Sequence, residues 1–223
     1  MSLKVALVEH HEMFAETLDL ALSLNGHEVD QVPIPTSGAW GEPLVRTVLK
    51  RRPHVAILDV DADQVGDVAR IIGPLTDAGV AVVVLTSSRH APRWGECLHH
   101  GARRVVPKTA PLQTIVSTLR RLEAGLPVIP RDKREALVSC WRRECTAERG
   151  AQQRLASLTA REMQVLGHLS SGRQVRDIAK ACVVSEATVR TQVKAILGKL
   201  DVGSQLAAVG LAHRTGWRAP QLQ

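Results

Sequence analysis

Residues 158–202 read LTAREMQVLGHLSSGRQVRDIAKACVVSEATVRTQVKAILGKLDV, and this stretch decides the architecture of the C-terminal third of the chain. Thr159 and Glu162 have the S/T-x-x-E spacing of a capping box, in which each side chain bonds the other's backbone N–H, and Leu158 and Met163 are spaced as a hydrophobic staple. A helix therefore starts there. Val165, Leu166 and Leu169 supply its buried face and Gly172 its stop. Val175, Ile178, Ala179 and Cys182 follow at i, i+3, i+4, i+7, the spacing of a second, short helix. Ser185 is a good N-cap for a third, in which Val189, Val193, Ile196, Leu197 and Leu200 share one face while Arg190, Thr191 and Lys194 lie on another. A short helix, a tight turn and an amphipathic helix with basic residues in its N-terminal half is the geometry that places side chains in a DNA major groove. A basic, solvated face in a small bundle has the same pattern, so periodicity alone leaves both readings open.

Charge points the same way. Residues 1–125 hold 13 Lys and Arg against 14 Asp and Glu, residues 126–154 hold 7 against 4, and residues 155–223 hold 9 against 4. The whole positive surplus of +7 is C-terminal, as expected of a small nucleic-acid binder attached to a neutral domain. A chain of 223 residues suits one medium domain and one small one, and 44% hydrophobic residues suffice for packed cores. The longest apolar run, Val80–Leu85, falls far short of the roughly 20 residues a membrane span needs, so a cytoplasmic protein with no membrane partner is expected. Cys97, Cys140, Cys145 and Cys182 show no paired CxxC spacing and are expected as free thiols.

Working towards the N-terminus, short apolar runs alternate with helix-length amphipathic segments. The candidate strands are Leu3–Val8, His27–Ile34, His54–Val60, Val80–Thr86 and Arg103–Val106, with helices near Met13–Leu24, Glu42–Lys50, Val65–Asp77, Pro92–His100 and Pro111–Ala124. This rhythm predicts an α/β (βα)5 doubly wound parallel sheet over residues 1–125, a partly helical linker over 126–154, and an all-α four-helix domain over 155–223. In open sheets of this kind the site lies at the carboxyl ends of the strands. That rule singles out Glu9, His10, Asp59, Thr86 and Lys108.

The stretch 158–202 resembles the LuxR-type (NarL-like) helix-turn-helix at Leu158-Thr159, Arg161-Glu162, Val165-Leu166, Gly172, Ile178-Ala179, Ser185-Glu186, Thr188-Val189-Arg190, Leu197, Lys199-Leu200 and Val202. The resemblance implies a recognition helix over 185–200, with Arg190, Thr191 and Lys194 on base edges and Thr188 and Arg176 on phosphates of double-stranded DNA. It also implies a last helix, near Ser204 to Thr215, that packs against a second subunit in a homodimer. Gln192 stands where His is usual, and Val175 where Asn is.

The N-terminal segments VAILDVDAD (55–63), VVVLTSS (82–88) and RVVPKTAP (104–111) resemble a receiver domain, and the whole chain resembles a response regulator of the NarL/FixJ type in two-component systems. The resemblance implies that Asp59 accepts a phosphoryl group, Thr86 binds a phosphate oxygen and Lys108 pairs with the charge. Magnesium would be held by Glu9, Asp59 and Asp61. Three departures bear on this. His10 in VEHHEMF (8–14) replaces one of two usual adjacent acids, and imidazole is a poor magnesium ligand. Val105 replaces the usual aromatic switch, in a chain without Tyr. The usual Met-Pro turn gives way to VDADQVGD (60–67), which adds Asp61 and Asp63 to an acidic corner. An atypical receiver, governed by dimerisation or a small-molecule ligand, is expected; the alternative is an ordinary regulator activated by a sensor kinase through magnesium-dependent phosphorylation of Asp59. An enzymatic reading of Asp59-Val60-Asp61 as a phosphatase DxD motif fails on context, because that motif sits on a first strand and continues to a Thr, where this chain has Asp63.

Overall fold

Five short apolar runs pair as one parallel sheet in the computed structural model, which describes residues 2–33, 41–61 and 68–219. The strands are β1 (Lys4–Val8), β2 (Glu28–Gln31), β3 (Val55–Asp59), β4 (Ala81–Thr86) and β5 (Arg104–Pro107), in the order β2-β1-β3-β4-β5. Between and after them run α1 (Glu12–Leu24), α2 (Glu42–Lys50), α3 (Ala69–Asp77), α4 (Ala91–His99) and α5 (Leu112–Glu123). Successive strand residues point to opposite faces. Val5, Leu7, Ile57 and Leu85 therefore pack with α1 and α5, while Ala6, Val8, Leu58 and Val84 pack with α2, α3 and α4. Both faces are covered, which explains why the strands read as continuous apolar runs without alternation.

Apart from the end of the second strand and the start of the third helix, element ends fall within one residue of expectation. The second strand ends at Gln31 rather than Ile34; Pro33 has no N–H to add to a ladder, and Ile34 lies outside the described residues. The third helix is described from Ala69, and the expected start at Val65 also lies outside them.

The chain divides into two compact units between Arg142 and Arg143. That point falls within α6 (Arg131–Ala156), which occupies most of the stretch read as a linker. Its first turns belong to the first unit. Arg134 donates to the carbonyl of Leu98 at 2.5 Å and to that of Ala102 at 2.9 Å, tying α6 to the last turn of α4 and the segment after it. Gly95 of α4 lies so close to α6 that a Cβ there would collide with the Leu137 carbonyl, so only glycine permits this approach.

The second unit contains α7 (Ala160–Ser170), α8 (Val175–Cys182), α9 (Glu186–Leu200) and α10 (Gln205–Arg214). The capping box forms as spelled: Thr159 N–H donates to Glu162 Oε2 at 2.7 Å and Glu162 N–H to Thr159 Oγ1 at 3.3 Å. Ser185 caps α9 through Thr188 N–H at 3.1 Å. Val165, Leu166, Ile178, Val189, Ile196, Leu200 and Ala208 are fully buried at the centre. Lys199 meets Glu162 at 2.7 Å and ties the end of α9 to the start of α7. Among the described residues no single helix is long and apolar enough to cross a membrane.

Candidate functional site

The strand order reverses at β1, whose following strand lies on one side of it and β3 on the other, so a crevice opens beyond the carboxyl ends of β1 and β3. Glu9 follows β1, Asp59 ends β3, Thr86 ends β4 and Lys108 follows β5. The fold thus gathers into one pocket residues separated by up to about a hundred positions.

Lys108 is its hub. Its Nζ lies 2.9 Å from Glu9 Oε1, from Glu9 Oε2 and from Asp59 Oδ2. His11 contributes a backbone N–H at 3.0 Å and its ring Nδ1 at 2.9 Å to Glu9 Oε1, and His10 Nδ1 is paired with Asp59 Oδ2. Burial works against charge on both acids. At Glu9 the bonds from Lys108 and His11 outweigh it and hold the carboxyl below its usual range. At Asp59 burial, helped by the Glu9 charge, outweighs Lys108 and the Asp61 N–H and pushes the carboxyl up.

Asp61 turns away from this cluster. Its Oδ1 accepts from Thr86 Oγ1 at 2.5 Å and its Oδ2 from Ser87 N–H, so the hydroxyl expected to meet a phosphate oxygen already holds a carboxylate. These bonds outweigh burial and keep Asp61 ionised below the usual range. Asp63 lies outside the described residues.

Glu9, His10, His11 and Asp59 each direct one ligand-type atom into a cluster whose members lie within 4.8 Å of one another. The set does not fit magnesium. That ion takes oxygen donors in near-ideal octahedral array; here two of the four convergent groups are imidazoles.

His11, Ser87 and Trp94 were not singled out in the sequence. Trp94 Nε1 donates to Ser88 O at 2.8 Å, Ser88 N–H donates to Thr86 Oγ1 at 3.0 Å, and Trp94 lines a cavity together with Leu137 of α6. An aromatic side chain of α4 thus stands between the strand-end pocket and a cavity that α6 helps to line. Val105, in the position where an aromatic was expected, is nearly buried and shares with Trp94 a cavity of about 220 Å³. A tryptophan six positions beyond a strand-end Ser-Ser pair was the available signal, but only packing shows which way its ring points.

In the second unit Arg176, Thr188, Arg190, Thr191 and Lys194 are all exposed. Arg190 is paired with Glu186 at 3.3 Å on its own helix, and Thr191 donates to the Ala187 carbonyl at 3.0 Å. Lys180, not anticipated, is exposed one turn beyond Arg176 on α8, and that i, i+4 spacing was the legible signal. Gln192 is half-buried, and its Oε1 has no hydrogen-bond partner among the described residues.

The family model for bacterial regulatory proteins, luxR family, matches residues 156–212. The chain is 23% identical over 215 residues to the transcriptional regulatory protein DesR of Bacillus subtilis, covering 96% of this chain and 98% of DesR. It is 27% identical over 212 residues to the response regulator protein VraR of Staphylococcus epidermidis, covering 94% and 95% of the two chains. Among solved structures, the two-component response regulator RcsB in complex with DNA matches with a TM-score of 0.51 at 19% identity, covering 96% of this chain and 98% of that one, a likeness of fold.

Proposed function

We propose, for a chain that is a DNA-binding response regulator of the NarL/FixJ type, that it acts in the cytoplasm as a homodimeric, non-enzymatic transcription regulator whose receiver is not switched by magnesium-dependent phosphorylation of Asp59. The observation that carries this reading is the Asp61 carboxylate on Thr86 Oγ1 and Ser87 N–H. Those donors are the ones an incoming phosphoryl oxygen would need. With Asp61 in place the phosphate half of the site already holds an internal anion, while Lys108 and His10 hold Asp59.

On the DNA side, Arg190, Thr191 and Lys194 read base edges in the major groove and Thr188 and Arg176 hold phosphates. The exposed N-terminal half of α9 supports this assignment. Leu206, 83% exposed on α10, supports a second subunit packing there. One small module buries too little surface for tight specific binding, so two half-sites about one helical turn apart or nearly abutting are expected. An enzymatic use of Asp61 is disfavoured by its engagement with Thr86 and Ser87.

The test compares wild type with Asp59→Asn for DNA affinity and dimer fraction, with and without acetyl phosphate and magnesium. Both proteins should respond alike. Stable phosphorylation that raises either quantity tenfold, about 1.4 kcal/mol, and disappears in Asp59→Asn would overturn the proposal and restore the ordinary reading, which rests on the retained Thr86 and Lys108.

A further inference from the structure

Two buried carboxylates and two partly exposed imidazoles converge at the end of β1. The Glu9 and Asp59 side chains are fully buried, whereas those of His10 and His11 are 32% and 60% exposed. Glu9 Oε2 and Asp59 Oδ2 accept no hydrogen bond of good geometry, and cationic Lys108 Nζ stands 2.9 Å from each. The same ammonium lies 3.4 Å from His11 Nδ1. Lys108 therefore occupies the point on which the donors converge. In that position its Nζ also lies 5.4 Å from the centre of the Phe14 ring, a cation–π contact.

The spacing of the donors matters as much as their identity. The four ligand atoms lie within 4.8 Å of one another, with His11 Nδ1 2.9 Å from Glu9 Oε1, while His10 Nδ1 and Asp59 Oδ2 are in contact and must part to share an ion. Nitrogen and oxygen ligands about 2.0–2.1 Å from one zinc ion in a tetrahedral shell stand roughly 3.3 Å apart. Two imidazoles and two carboxylates suit borderline ions such as zinc, cobalt and nickel, while the hard magnesium ion is served poorly by nitrogen. We propose that Glu9, His10, His11 and Asp59 form a binding site for a divalent transition-metal ion of this borderline class. The inference deepens the reading of a receiver not run by magnesium and phosphate, and rests on it. The carboxylates neutralise the ion's charge, the imidazoles close the site from solvent, and Lys108 withdraws when the ion enters.

The experiment titrates the reduced full-length protein with cobalt(II), zinc(II) and magnesium(II), reading the visible d–d bands of cobalt, calorimetry and the thermal unfolding midpoint. One equivalent of cobalt or zinc should bind at least tenfold more tightly than magnesium, raise the midpoint, and show no thiolate-to-cobalt charge-transfer band. His11→Ala, at the most exposed ligand, should weaken cobalt binding at least tenfold in a chain that still folds. Lys108→Met should strengthen it several-fold, because the internal cation no longer competes, and His10→Asp should shift the preference towards magnesium. Absence of saturable cobalt and zinc binding, binding unchanged in both His11→Ala and His10→Ala, or tighter binding of magnesium by the wild type would overturn the proposal. Acetyl phosphate serves as a separate arm: if it leaves DNA affinity unchanged while no metal binds, only this inference fails, and if it drives DNA binding through Asp59, the underlying reading fails.

Discussion

The pocket of the first unit and the exposed helix face of the second are both built from charged and polar residues, yet they place those residues in opposite ways. Around Asp59 the described polar side chains are turned onto one another: Lys108 onto Glu9 and Asp59, His10 onto Asp59, and Asp61 onto the Thr86 hydroxyl. On α9 Arg190, Thr191 and Lys194 face water, and Arg190 and Thr191 make contacts one helical turn away, with Glu186 and the Ala187 carbonyl. An interface for a polyanion must leave its cations free to exchange water and counterions for phosphate. A pocket that buries its charges must pair them or bear a large desolvation cost. A substitution in the pocket therefore disturbs several partners at once, while one on α9 should act alone.

The strongest test of this contrast lies under the recognition face. Ile196 is fully buried on the other side of α9, and Ile196→Ala should destabilise the second unit by about 2–5 kcal/mol. Chemical denaturation followed by hydrogen exchange should show the loss in α7–α10, with exchange in the five-stranded sheet unchanged. Arg190→Ala and Lys194→Ala should behave differently, each weakening specific DNA binding by about 1–3 kcal/mol while the unfolding midpoint stays in place. Variants that remain folded and bind operator DNA like wild type would remove α9 as the reading element.

A smaller effect comes from the helix start. Thr159→Ala should cost about 1 kcal/mol, read from urea unfolding. Glu162 belongs to the same box. Although burial opposes its charge, bonds from Lys199 and from Thr159 N–H hold its carboxyl below the usual range in the folded protein. Its contribution is therefore complete above the unfolded value of about 4.3, and is lost as the pH falls through the lower folded value. Glu162→Gln should unfold with a flatter dependence on pH below that point, and an unaltered slope would show that the ion pair with Lys199 adds nothing.

The smallest effect concerns the turn before α9. Val183 ends α8 in the left-handed region at φ 54° and is 90% exposed. A β-branched residue is strained there, whereas Asn tolerates it, so Val183→Asn should stabilise the second unit by about 0.5–1 kcal/mol, seen as a higher thermal midpoint with DNA affinity retained.

These tests track what could be read at each level. Helix starts at Thr159 and Ser185, and the apolar faces of α7–α9, were legible because capping and helical period act over three to seven residues. The sheet was legible because strands buried on both faces must be continuous apolar runs. Glu9, Asp59, Thr86 and Lys108 could be singled out as strand-end residues because the site of an open parallel sheet lies there. Val105 announced a missing aromatic.

Local patterns in the chain therefore fixed the elements, their order, and the residues at strand ends and on the free face of α9. The pairings came only with the folded chain: Asp61, two residues from Asp59, turns to Thr86 and Ser87, Lys108 lies on Glu9 and His11, and Trp94 bonds Ser88 and lines a cavity with Leu137 of α6. Local signals arise from backbone geometry and short-range sterics, which any stretch of chain carries with it. The direction of a side chain in a pocket depends on charges and cavities supplied by segments far away in the chain, and those exist only once the strands have aligned.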